Sequence, residues 1–267
     1  MQLWLQVVDI SESGSQSQSP MKTLIFRAAH NLGQIAARVQ GKGYGTATVL
    51  HEVAALRRLL TFTPAVVLDV GANIGNWTSA AREAFPSASF HLFEPSRRNA
   101  ALLESRFGIH RNVTIHNFAL SNLPGELDLH ADVEGSGMGS LVNRDIRHLG
   151  RTFDFSERVK VDTLAQVVAR LELSAVDVMK VDVEGHELKV FEGADSAFWS
   201  SIKAIQFEFG GCNIDSRTYF RDFWYLFSEQ RFKIYRITPF GIQHIKKYNE
   251  ADEHFVTTNF LCVKNGT

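Results

Sequence analysis

The sequence predicts an α/β fold built on a mainly parallel sheet. From Pro64 onward, short β-branched runs alternate with stretches whose apolar residues recur at helical spacing. Right-handed crossovers turn that rhythm into a parallel sheet covered on both faces. The first strand also runs straight into a glycine-containing turn that opens a helix, AVVLDVGANIG at 65–75, and open sheets bind ligands at such strand ends. Of the 267 residues 45% are hydrophobic, enough for a full core. Lys plus Arg number 28 against 29 for Asp plus Glu, a net charge of -1. That balance gives no global electrostatic case for nucleic acid or an anionic membrane and favours small-molecule chemistry.

Residues 11–20 read SESGSQSQSP, too polar to offset their ordering entropy, so 1–20 is expected to be a flexible tail. Met1 to Ile10 has no basic leader and its apolar run is broken by Gln2, Gln6 and Asp9, a poor signal peptide. Only two distant cysteines occur, Cys212 and Cys262, which fits a cytoplasmic protein. No run of about 18 apolar residues exists, so no membrane span is expected. Met21 to Gln40 and Thr48 to Leu60 show helical spacing, and 21–63 is expected as a helical cap before a domain over 64–267. Its cations Arg27, Arg38, Lys42, Arg57 and Arg58, against the single acid Glu52, read as a solvated face rather than an anionic-surface contact.

Within the domain, Ala65 to Val70 is a strand, Ile74 to Ala84 a helix, Ser89 to Phe93 a strand, and Ser96 to Phe107 a helix closed by Gly108. Val113 to His116 is a third strand. Asn122 to Gly125 reads as the turn of a hairpin insertion that ends in GSGMGS, 135–140, a lid or a plain flexible loop. Helix Thr163 to Leu171, strand Val176 to Val181, helix His186 to Phe191, strand Ile202 to Phe209 and helix Thr218 to Gln230 follow. The aromatic stripe Tyr219, Phe220, Phe223, Trp224 and Phe227 has core spacing. Phe232 to Ile237 and Phe255 to Val263, with little room for a helix between them, predict an antiparallel pair.

Asp69, Gly71, Asn73 and Gly75 cluster at the carboxyl end of the first strand. Gly71 permits a tight turn against a ligand, and Gly75 permits close packing of helix on strand. A dinucleotide fingerprint places a glycine where Asn73 stands, and Asp69 would repel a diphosphate, so the site suits a cationic ligand. Glu94, nineteen residues after Gly75 in HLFEP, is placed to accept both hydroxyl hydrogens of a ribose. Asn117 to Asn122, NFALSN, edges the same crevice and offers, through Asn117 and Ala119, backbone groups and an apolar wall for an adenine. A helix cap for Asp69, an exposed strand end for Glu94 and a plain hairpin for NFALSN are the structural alternatives.

These residues carry a resemblance. VVLDVGANIG with FEP downstream, an ALSN hairpin, DTL, and KVDVEGHE followed by FEGA resemble the FkbM family of S-adenosylmethionine-dependent methyltransferases over about residues 64–210. The resemblance implies the class I methyltransferase, Rossmann-like fold, a seven-stranded sheet with an antiparallel last strand. It also implies that Asp69, Gly71, Asn73, Gly75 and Glu94 hold S-adenosylmethionine.

The strand VDVMKVDVEGHE sets Lys180 and Asp182 on one face and ends in Asp182, Glu184 and His186, placed to face the transferred methyl group. A lysine inside a buried strand demands a partner, Asp182 or Glu208. An alcohol acceptor needs its proton removed, by Asp182 or His186 as base, or its pKa lowered by a cation on Asp182 and Glu184. The direct base is favoured and no metal site is expected, since HELKV lacks the second histidine of HExxH. The structural alternatives are helix-dipole stabilisation for Glu184 and an ordinary first-turn position for His186, while Glu187 is expected to be a solvated helix residue. The expected function is O-methylation of a small hydroxylated acceptor, a sugar or polyketide-like metabolite. A nucleotide-dependent oxidoreductase and a non-catalytic cofactor-binding module are the alternatives.

Overall fold

Eight strands form the main sheet in a computed structural model that describes residues 20–46 and 48–264. The expected tail therefore lies, but for Pro20, outside the described residues. Helices α1 (Pro20–Val39) and α2 (Val49–Leu59) precede the strands. Then come β1 (Val66–Val70), α3 (Asn76–Ala84), β2 (Ser89–Phe93), α4 (Arg97–Phe107) and β3 (Val113–His116). A smaller sheet is made of β4 (Ala119–Leu120), β5 (Gly125–Ala131) and β6 (Phe155–Asp162). The second half holds α5 (Leu164–Arg170), β7 (Val178–Val181), α6 (Glu187–Glu192), α7 (Ser196–Ser201), β8 (Ala204–Phe209), α8 (Cys212–Ser216), α9 (Phe220–Glu229), β9 (Phe232–Thr238), β10 (Gly241–His244) and β11 (Thr258–Lys264). The described residues to Ala37 form one unit and those from Arg38 another.

The strand order is β10-β9-β11-β8-β7-β1-β2-β3. β8, β7, β1, β2 and β3 run parallel, while β11 is antiparallel to both β8 and β9. β1 and β7 are adjacent, with Asp69 beside Lys180, so their carboxyl ends open into one crevice. Alternation along β1 sends Val67 to the core under α2, α3 and α4 and Leu68 to the aromatic core under α6, α7 and α9. In the latter, Phe207 stacks on Phe223 and Phe260, so the aromatic stripe of α9 packs as its spacing predicts. Helix starts follow local chemistry: Thr163 accepts from Gln166 N at 3.2 Å and Asp195 from Phe198 N at 2.8 Å.

Two expectations change. The sheet has one strand more than seven, because Pro239 and Phe240 turn the chain so that β10 pairs with β9 at the edge. The expected hairpin at 122–125 is not one: β6 lies between β4 and β5, parallel to the first and antiparallel to the second. β6 alternates exposed polar residues with buried Val159 and Val161, a strand pattern that pairs with segments 24 or more residues upstream rather than locally.

Within the second unit, helix α2 is fastened to the sheet by a buried polar network. Glu52 accepts from Thr48 Oγ1 at 2.8 Å, Gln206 Nε2 at 2.7 Å and Asn259 Nδ2 at 3.2 Å, while Trp77 Nε1 donates to Gln206 Oε1 at 3.1 Å. With its partners in place the buried carboxyl is satisfied, although burial still raises its pKa. Among the described residues no helix is long and apolar enough to cross a membrane.

Candidate active site

A cleft opens at the carboxyl ends of β1 and β2. Its floor is the turn after β1. Gly71 has φ +80°, and Gly71 N and Ala72 N both donate to Phe93 O, at 2.9 and 3.1 Å, which ties the turn to the end of β2. Asn73 takes the left-handed conformation at φ 49°, which asparagine tolerates better than most side chains. Glu94, 6% exposed, completes the corner: Oε2 accepts from Asn73 N at 2.8 Å and Oε1 from Ser96 N at 2.9 Å. Each oxygen thus uses one lone pair on the backbone and keeps a second. Burial raises the Glu94 pKa to about 7, against the two backbone donors that hold it down. Phe93, Ala119, Leu120 and Leu129 give the apolar wall.

The glycine-rich run covers this cleft. Ser136, Gly137 and Gly139 line it, and a Cβ on Gly137 would stand 3.0 Å from Asn73 Nδ2. Ser140 Oγ donates to Glu184 O at 2.7 Å, and Arg144 donates to Glu184 Oε2 at 2.5 Å while lying 3.6 Å from Asp215. The insertion is therefore clamped onto the turn after β7.

Acidic groups gather at that turn. Asp182, Glu184 and Glu208 offer oxygens that all lie within 4.8 Å of one another. Lys180 Nζ donates to Asp182 at 3.0 Å and stands 3.9 Å from Asp69. Burial alone would lower the Lys180 pKa, but Asp182, then Asp69 and Glu52, outweigh it and hold the lysine charged. Burial and the neighbouring Asp182 push Glu184 up to about 7, and burial with the same acids raises Glu208 as well. Glu184 sits at φ 55°, a conformation that costs a non-glycine residue about 1 kcal/mol or more. Its holders are the Ser140 and Arg144 contacts above and Glu187, whose carboxylate accepts from Val183 N at 3.0 Å and Gly185 N at 3.1 Å. Glu187 is thus fully buried and shapes the turn, contrary to the solvated position expected.

Of the residues singled out from sequence, Gly71, Asn73, Glu94, Ala119, Asp182 and Glu184 line the cleft. Lys180 lines an adjoining cavity of about 170 Å³ that shares Gly71, Asn73 and Asp182 and is bounded by Thr48, Glu52 and Glu208. Asp69 lies beneath the floor, fully buried, accepting from Thr78 Oγ1 at 2.5 Å, with burial raising its pKa against the pull of Lys180. Gly75 is a packing position, where a Cβ would fall 2.3 Å from the Phe107 ring. Asn117 donates to Glu94 O and Pro95 O at 2.9 and 3.0 Å and so braces the strand end. His186 hydrogen-bonds Ser121 at 2.8 Å outside the cleft, and burial lowers its pKa to about 4. Arg144, Thr48, Asn99 and Leu129 escape sequence reading because nothing local marks them, whereas Glu208 ends a strand as Asp182 does. Asn99 lines the cleft, and its Nδ2 donates to Asn73 Oδ1 at 3.1 Å.

The methyltransferase FkbM domain model matches residues 69–234, more than half of the chain. This chain belongs to the FkbM methyltransferase family. Its α/β architecture with an antiparallel last strand is the class I methyltransferase fold of that family. Methyltransferase sdnD of Sordaria araneosa is 30% identical over 172 residues, 53% of this chain and 65% of that protein. The 31-O-demethyl-FK506 methyltransferase FkbM of Streptomyces tacrolimicus is 27% identical over 164 residues, 52% of this chain and 63% of that protein. The 2-O-methyltransferase NoeI of Sinorhizobium fredii is 26% identical over 137 residues, covering 48% and 56%. The chain thus spans less than two thirds of the length of these relatives. A solved FkbM methyltransferase from Methylobacillus flagellatus KT aligns at 15% identity with a TM-score of 0.47, over 76% of this chain and 45% of that one.

Proposed function

We propose that this protein is an S-adenosylmethionine-dependent methyltransferase that O-methylates a small hydroxylated molecule, a sugar or polyketide-like metabolite. The observation that carries the reading is Glu94: a buried carboxylate at the end of β2 with one free lone pair on each oxygen, facing an apolar wall. That is an acceptor pair for a ribose diol beside a slot for a purine. Carboxylates outnumber cations at the opposite end, which favours a sulfonium and disfavours a diphosphate, and so speaks against the nucleotide-dependent oxidoreductase. S-adenosylmethionine, when bound, supplies an electrophilic methyl group on a positive sulfur. Two of the relatives are named for O-methylation, which supports a hydroxyl acceptor.

Asp182 is assigned the proton of that hydroxyl. Lys180 donates to its Oδ2 at 3.0 Å, so the carboxylate is oriented at the mouth shared by both cavities. Glu184 and the Arg144 clamp shape the wall beside it. Calorimetric titration with S-adenosylmethionine and, separately, NADH tests the reading: binding of the first alone is expected, and binding of NADH alone would move the protein to the oxidoreductase class. Cofactor binding without turnover on any alcohol screened would favour a non-catalytic module.

Asp182→Asn is expected to slow methyl transfer by about 10²-fold or more while changing cofactor affinity only a few-fold. Wild-type turnover in that variant would move the base elsewhere. The spacing of Asp182, Glu184 and Glu208 also fits one divalent cation, so a chelator is the decisive companion experiment. Retained activity is expected; loss restored by Mg²⁺ would replace the direct base with a metal-lowered hydroxyl pKa.

Affinity for S-adenosylmethionine should depend on pH through Glu94. The carboxylate accepts from both hydroxyls of a diol with charge assistance, whereas the acid turns one oxygen into a donor, so affinity rises with pH through the Glu94 pKa of about 7. Between about pH 8 and about pH 6 the ionised fraction falls roughly tenfold, and the Kd should rise by the same factor. A flat profile over that window would remove Glu94 as the diol acceptor.

A further inference from the structure

Helix α1 carries a surface that the methyltransferase reading does not use. Met21, Leu24, Ile25, Ala28, Leu32, Ile35, Ala36 and Val39 recur at three- and four-residue steps and fall on one face. The large members of that stripe are exposed, from 49% at Val39 to 70% at Met21. A solvated helix keeps such a stripe polar, so solvation, the role expected for this segment from its charges, does not explain it. Arg27 and Arg38 flank one margin of the stripe and Lys22 the other, and the opposite face holds Thr23, the exposed Phe26, His30 and Gln34. No Asp or Glu occurs anywhere in α1.

We propose that α1 is an interfacial helix that lies in the plane of a bilayer carrying anionic lipid. Its apolar face enters the boundary between headgroups and acyl chains. Lys22, Arg27 and Arg38 rest their stems on the apolar edge and reach the phosphates. The charge pattern selects this occupant. A second copy of the helix would set Arg27 and Arg38 against like charges with no acid of its own to pair them, whereas an anionic surface neutralises all three cations. At twenty residues with three cations the helix is suited to lie on the membrane and not to cross it.

The test is sedimentation of the full chain with phosphatidylcholine vesicles, plain or with roughly one lipid in three replaced by phosphatidylglycerol. Binding about tenfold stronger to the anionic vesicles is expected, and weaker at high salt. Leu32→Glu with Ile35→Glu should abolish binding to both vesicle types. Arg27→Gln with Arg38→Gln should remove the preference for anionic lipid while leaving weak apolar binding. These positions are exposed, and unchanged S-adenosylmethionine titration and circular dichroism would show that both variants remain folded. Equal partition onto both vesicle types, or binding untouched by either double variant, would overturn the proposal. No vesicle binding together with a dimeric mass in light scattering would assign the face to a second copy. No vesicle binding by a monomer would equally end the lipid role.

Discussion

Glu94→Ala is expected to weaken S-adenosylmethionine binding by about two orders of magnitude or more. A hydrogen bond to a charged acceptor contributes about 1.5–3 kcal/mol, and a ribose diol would lose two of them. The variant also strips Asn73 N and Ser96 N of their acceptors at 2.8 and 2.9 Å, so the turn after β1 loses its brace. Glu94→Gln separates these effects. It keeps the side-chain volume and one carbonyl acceptor, but its NH₂ faces a backbone N–H, so an intermediate loss is expected. Calorimetry reads the affinity and a thermal melt reads the fold. Wild-type affinity in Glu94→Ala with an unchanged melt would take the ribose away from this residue.

Gly71→Ala has the larger expected effect on the fold itself. The added Cβ would stand 1.9 Å from the carbonyl oxygen of Asp182, a backbone atom that no rotamer change moves, and φ at +80° is already unfavourable for alanine. The close approach joins the ends of β1 and β7, so relief would require pulling the turn after β1 away from Asp182. A destabilisation of about 3 kcal/mol or more is expected, with loss of cofactor binding. Gly150→Ala is the matched control: φ is +69° but nothing lies within 4 Å of the new Cβ, so only the backbone cost of about 1 kcal/mol applies. In a domain of this size each kcal/mol lowers the Tm by about 2–4 °C. Equal melts for the two variants would show that the contact between strand ends does not constrain the fold.

The positions of these residues were legible to different depths. β1, α3 and β2 could be read because their signals are local: a continuous apolar run, a glycine turn and helical spacing. Glu94 and Asp182 were legible as cleft residues for the same reason, since each ends a parallel strand and such ends converge. His186 and Asp69 looked equally placed by sequence. They sit on the wrong side of their elements, His186 against Ser121 and Asp69 under Thr78 and Lys180. Distance from a strand end fixes an address along the chain but not the direction a side chain takes after a turn with positive φ, such as Gly185 at 105°.

By itself the sequence determined the alternating α/β architecture, the glycine turn after β1, and a lysine that had to find a carboxylate inside the sheet. Those follow from periodicity, from the conformational freedom of Gly71, and from the cost of an unpaired buried charge. Only the tertiary structure decided that β6 enters between β4 and β5, that Arg144 reaches Glu184 from forty residues upstream, and that Glu187 is buried holding the turn at 183–185. Each of these is a partnership between segments distant in sequence, or between a side chain and backbone donors exposed by a particular turn. Neither kind of partner exists until the sheet has closed, because residue type and spacing describe one segment at a time while burial is a property of what the rest of the chain brings to it.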